Sequence, residues 1–168
     1  MIARISKARA YDLRQLSETL GVTFQDLSLL QLALTHTSFA NESKQPLEQN
    51  ERLEFLGDAV LELASSTYLY QRFPDMPEGD LSKLRASLVC EPTLAFCAKD
   101  IDLGSFILLG RGEDATGGRT RKSITSDAFE AVIGAMYLDG GIEPASAFIS
   151  RFVLTDIEHK KLYHDCKT

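Results

Sequence analysis

The sequence predicts an all-α protein, and three observations lead there. Apolar residues recur at helical spacing, as in Leu13, Leu16 and Leu20 or Leu81, Leu84 and Leu88. The breakers Gly21, Pro74, Pro77, Pro92 and Gly140-Gly141 fall between such segments. Only SFILLG (105–110) could pass for a strand, and it is short.

In chain order, Leu13, Leu16 and Leu20 mark a helix closed by Gly21, and Phe24, Leu27, Leu30 and Leu34 repeat the pattern. The polar NESKQPLEQ (41–49) reads as a loop leading into a long helix, NERLEFLGDAVLELASSTYLY (50–70), that stops at Pro74. Pro77 opens the next helix, because proline suits a first turn. Glu91-Pro92 breaks the chain and restarts it into TLAFCAKD. RGEDATGGRTR (111–121) is a loop before SITSDAFEAVIGAMYLDGG, a helix rich in small residues. Pro144 starts a last helix through Phe152. There is no internal repeat and no low-complexity segment.

With 168 residues, 44% hydrophobic and 25% charged, the chain can bury one core. Cys90, Cys97 and Cys166 form no CxxC pair and read as reduced packing thiols, not as a zinc site or disulfide frame. The N-terminus lacks the apolar stretch of a signal peptide, and no uncharged run is long enough to span a bilayer. The expectation is a cytoplasmic protein with no membrane partner. A formal charge of -6 argues, taken alone, against a nucleic-acid binder.

The long helix poses the functional question. At ~100° per residue, Glu51, Glu54, Asp58 and Glu62 fall within an arc of about 80°, while Leu53, Leu56, Val60, Leu63 and Ala64 cover most of the rest. Carboxylates on a helix buried on several sides must be paired, protonated or metal-bound. Arg52 points elsewhere, so the stripe calls for an external cation. SDAFEA supplies a second acid pair, Asp127 and Glu130, at i and i+3 in another apolar helix. Facing each other, the two helices would build an all-oxygen site suited to Mg²⁺ or Mn²⁺. The alternative is two solvated acidic faces with surface salt bridges.

Other candidates are weaker. Glu78 and Asp80 lie in a first helical turn, where acids favourably meet the helix dipole. GEDATGGRT lacks the lysine and preceding strand of a P-loop. Arg111, Arg119, Arg121 and Lys122 could meet phosphates near the acidic site, or form a mobile solvated loop. His36 has no His or Cys at ligand spacing and reads as a capping or core residue. His159 and His164 read as surface residues.

NERLEFLGDAVLEL closely resembles the signature of ribonuclease III endonuclease domains. So do LTHTSF upstream, FPDMPEGDLSKLRASLV downstream and the late helix KSITSDAFEAVIGAMYLDGG, over roughly residues 8–155. The resemblance implies an all-helical, homodimeric domain over residues 1–160 that cleaves double-stranded RNA with Mg²⁺, Mn²⁺ substituting. It implies 5′-phosphate products with short 3′ overhangs, and a role in processing ribosomal, messenger and transfer RNA precursors. By matching position, Glu54, Asp58, Asp127 and Glu130 would be the metal-site acids, with Asp58 and Glu130 closest to the chemistry. Glu51 and Glu78 match two acids lining the RNA cleft, and Phe55 matches the aromatic that plugs into the partner subunit. Residues 161–168 would be a linker and the start of a C-terminal double-stranded-RNA-binding domain, where a basic surface would lie.

Two other classes compete. A ferritin-like di-iron bundle also joins carboxylates on helices, but it uses Glu-x-x-His motifs that neither acidic helix contains. A helical dimer that only binds RNA or protein would not need all six matched acids.

Overall fold

The computed structural model describes residues 1–155 and 157. Residues 161–168, together with His159, His164 and Cys166, lie outside the described residues. Nine α-helices are described: α1 (Lys7–Leu20), α2 (Leu27–Ala33), α3 (Thr37–Glu42), α4 (Glu51–Arg72), α5 (Glu78–Val89), α6 (Glu91–Asp100), α7 (Arg111–Ala115), α8 (Lys122–Gly140) and α9 (Ile142–Phe152). No named strand occurs among the described residues, and none of these helices is long and apolar enough to cross a membrane.

Local chemistry sets the helix ends. Ser6 accepts from the Arg9 amide at 3.1 Å and Asp26 from the Ser28 amide at 2.9 Å, each satisfying a donor the helix leaves over. Gly21 closes α1 in the left-handed region, φ 72°, where a side chain would be strained. α9 begins at Ile142, two residues before Pro144, because a first turn tolerates a proline without an amide hydrogen.

α8 is the axis of the core. Ala128, Phe129, Ala131, Val132, Ile133, Ala135 and Met136 are all fully buried. α4 packs along it most extensively, with α6, α2 and α9 around the remaining sides. Its abundance of alanine and glycine lets neighbouring backbones come close.

Several expectations need correction. Leu103–Phe106 is a 3₁₀ turn, and the candidate strand reduces to one parallel bridge between Thr35 and Leu108. That bridge is pinned by Leu108 N–H to Leu34 O at 2.8 Å and His36 N–H to Leu108 O at 3.1 Å. The polar loop loses its first two residues to α3. The basic loop folds in part into α7 and a 3₁₀ turn, Gly118–Thr120. Cys97 is buried, its thiol 3.2 Å from the Phe152 carbonyl, as a packing residue should be.

Candidate metal centre

The site exists because α4 and α8 cross at two glycines. A Cβ on Gly57 would overlap the carbonyl oxygen of Glu130, and a Cβ on Gly134 would overlap that of Leu53. Gly57 stands between Glu54 and Asp58, and Gly134 is one turn past Glu130. Backbone contact at this crossing is what brings the two acidic pairs together.

Glu54, Asp127 and Glu130 each place a carboxylate oxygen so that the three lie within 4.8 Å of one another. Asp58 is outside this trio, but its carboxyl hydrogen-bonds Glu130. Glu54 and Asp127 form the corresponding pair across the crossing. Glu54 and Glu130 are half-buried, whereas Asp58 and Asp127 are exposed, so the site opens to solvent on one side.

Its electrostatics are those of crowded negative charge. Burial pushes the Glu130 carboxyl up to about 9, reinforced by the hydrogen bond and charge of Asp58 and by Glu54 and Asp127. Burial likewise raises Glu54 to about 7, with Asp127, Glu51 and Asp58 adding to the effect. Asp127 is raised by burial, then by Glu91 and Glu51, against the opposing influence of Glu54 and His36. Three convergent hard oxygen donors that hold on to protons for want of a counter-charge fit a divalent cation. Glu54, Asp127 and Glu130 would hold such an ion, with Asp58 in reach through Glu130.

Other residues singled out in the sequence fall into place around this centre. Glu51 is exposed at the start of α4, its Oε1 accepting from Gln49 Nε2 at 3.0 Å, and its charge reaches Glu54 and Asp127. Glu62 needs no external cation, because its Oε2 pairs with Arg85 Nε at 2.9 Å. Glu78 begins α5 and is not a member of the trio; its Oε2 accepts from Ser82 Oγ at 2.8 Å. Phe55 is 81% exposed beside a groove lined by Leu32, Leu53, Leu56 and Leu138.

Two arginines of the basic segment are engaged within the fold. Arg119 Nη1 donates to Ile107 O at 2.6 Å and Gly104 O at 2.9 Å, while Nη2 pairs with Asp114 at 3.1 Å. Arg121 pairs with Glu113 and donates to Thr116 O at 3.0 Å. Arg111 and Lys122 remain exposed. His36 caps α3, its Nδ1 accepting from the Ser38 amide at 3.1 Å, and burial lowers its pKa. Sequence reasoning missed Arg85 and Glu91. Both act across helices, and no local spacing signals such contacts.

Fold and site together define an all-helical domain that gathers carboxylates from two crossing helices into a candidate cation site. The chain belongs to the ribonuclease-III-like family, whose model matches residues 26–157. It is 52% identical to Ribonuclease 3 of Pelotomaculum thermopropionicum over 157 residues, covering 91% of this chain and 65% of that protein. It is 55% identical over 140 residues to Ribonuclease 3 of Oceanobacillus iheyensis, covering 83% and 61%. The chain thus spans less than two thirds of the length of these curated relatives. A solved nuclease domain of ribonuclease III from Campylobacter jejuni, described with a region involved in dimer formation, superposes with a TM-score of 0.78 at 47% identity. That match covers 84% of this chain and 95% of the other.

Proposed function

We propose that this chain is the endonuclease domain of a ribonuclease III, hydrolysing phosphodiester bonds of double-stranded RNA in a divalent-cation-dependent reaction. The observation that carries the reading is the meeting of Glu54, Asp127 and Glu130 on a member of this family. Mg²⁺ is the natural ion for such a donor set, and Mn²⁺ can replace it.

Held by Glu54, Asp127 and Glu130, a divalent cation would supply Lewis acidity toward a hydrolytic water and toward charge on the phosphate and the leaving 3′ oxygen. The protein's part is geometric. Glu130, half-buried and hydrogen-bonded to Asp58, is a fixed inner wall. Glu54 and Asp127 close the opposite side, and the exposed flank formed by Asp58 and Asp127 is where a phosphate enters. Asp58 and Glu130 sit closest to the reacting groups. Glu51 and Glu78 line the path of the RNA, which is read by A-form shape and 2′-hydroxyls. Products carry 5′ phosphates and short 3′ overhangs, and precursors of ribosomal, messenger and transfer RNA are the substrates.

The working unit is a two-fold homodimer in which Phe55 of each subunit enters the partner's groove beside Leu32, Leu53, Leu56 and Leu138. A phenylalanine this exposed next to an apolar groove on the same chain is self-complementary, as an isologous contact requires. The test is incubation of a long RNA duplex and its single strands with the protein and Mg²⁺, followed by end analysis. Cleavage of the duplex alone, with 5′-phosphate ends, is expected. Failure to cut the duplex with either Mg²⁺ or Mn²⁺ contradicts the reading.

A further inference from the structure

Arg85 reaches from α5 onto the acidic face of α4. Its Nε donates to Glu62 Oε2 at 2.9 Å and its Nη1 to Ser66 Oγ at 2.9 Å, while Ser66 Oγ donates to Glu62 O at 2.6 Å. The Arg85 and Glu62 side chains are 39% and 40% exposed. A pair so open to water adds little to stability. What the two contacts accomplish is aim.

Glu54, Asp58, Glu62 and Ser66 follow one another at intervals of four residues, on one stripe, each about 6 Å further along the helix. The guanidinium is therefore held on the same stripe as the candidate metal centre, one to two turns beyond Asp58. Its two contacts use two of five N–H groups. Nη2 and the second Nη1 hydrogen have no hydrogen-bond partner among the described residues. Arg85 lines a cleft of about 250 Å³ together with Ser66, Tyr70, Glu78 and Ser82. Tyr70 is 75% exposed there. A polyanion laid along an acidic stripe needs a fixed cation on its track, and a guanidinium fork suits a phosphate. Arg119 and Arg121 are already paired with Asp114 and Glu113.

We propose that Arg85 is a positioning residue that binds a backbone phosphate one or two nucleotides from the scissile one, with Glu62 and Ser66 fixing its guanidinium. The proposal rests on the reading of the chain as a double-stranded-RNA endonuclease.

Single-turnover cleavage of a long duplex with Mg²⁺, at several salt concentrations, tests it by giving the half-saturating protein concentration and the maximal rate. Arg85→Gln should raise the half-saturating concentration about tenfold and leave the maximal rate within a few-fold. It should also flatten the salt dependence by roughly 0.9 in log–log slope per lost contact. Arg85→Lys should restore the slope, which a merely structural role would not require. The double variant Glu62→Gln/Arg85→Gln keeps the net charge and leaves no orphan carboxylate. It should match Arg85→Gln, and it carries the test if the single variant does not fold. A folded glutamine variant with parental slope and half-saturation overturns the role of Arg85 alone. A parent protein that does not cut duplex RNA overturns the functional reading and this proposal with it.

Discussion

Gly57 lies against the carbonyl oxygen of Glu130 with no room for a methyl group between them. The same crossing that removes a side chain from α4 sets the separation of Glu54 from Asp127 and Glu130. Packing and chemistry are fixed here by one contact.

Gly57→Ala should therefore damage both. The new methyl meets backbone, which cannot rotate away as a flexible side chain would, so a destabilisation of about 3 kcal/mol or more is expected. Urea unfolding measures it. Cleavage by the folded fraction should fall as well, because any relief comes from moving α4 off α8. A Gly57→Ala protein with parental stability and activity would show that the crossing is more pliable than it looks.

The metal-free protein should lose stability as pH rises. Glu130 keeps its proton up to about 9, whereas in the unfolded chain a glutamate releases it near 4.3. Between those values the folded chain binds the extra proton, so alkalisation favours unfolding. Glu54, raised to about 7, adds the same sign over the lower part of the window. Urea unfolding with a chelator present should give lower stability at pH 8.5 than at pH 5.5. Glu130→Gln should flatten that difference, and Mg²⁺ should restore stability at pH 8.5. A flat profile for the parent would count against the crowded-carboxylate description.

Phe55→Ala should weaken the dimer by roughly tenfold or more, since an aromatic anchor is lost from both copies. Sedimentation across a micromolar dilution series reads this directly. A parent chain that stays monomeric throughout would remove the homodimer from the account.

His36 offers a test on α3 alone. His36→Ala deletes the acceptor for the Ser38 amide and should cost about 1 kcal/mol, whereas His36→Asn keeps an N-cap acceptor and should cost little. Thermal melts of the two variants separate capping from bulk packing. Equal losses would mean that the ring, not the cap, matters.

Much of this was legible in the sequence because the relevant signals are local. The acidic stripe on α4, the Asp127–Glu130 pair and the helix ends at Gly21 and Pro74 follow from periodicity and backbone preference within a few residues. What stayed hidden depends on contacts between distant segments. Glu62 finds its cation in Arg85 on the next helix, and Asp127 is influenced by Glu91 on α6. Arg119 and Arg121 looked available for phosphates until folding brought Gly104, Ile107, Asp114 and Glu113 against them. The helices α3 and α7 are too short for periodicity to register. The expectation that every acid of the stripe needs an outside cation failed at Glu62 for the same reason.

The most direct test of the central claim compares the parent with Glu130→Gln in single-turnover cleavage of duplex RNA at saturating Mg²⁺. The amide keeps the shape of the side chain but loses the charge that would hold a cation. The account predicts that the parent cuts and that the variant, folded and dimeric, has lost nearly all activity. Cleavage by Glu130→Gln within about tenfold of the parent would contradict it, because a carboxylate holding the catalytic ion contributes several kcal/mol to the transition state.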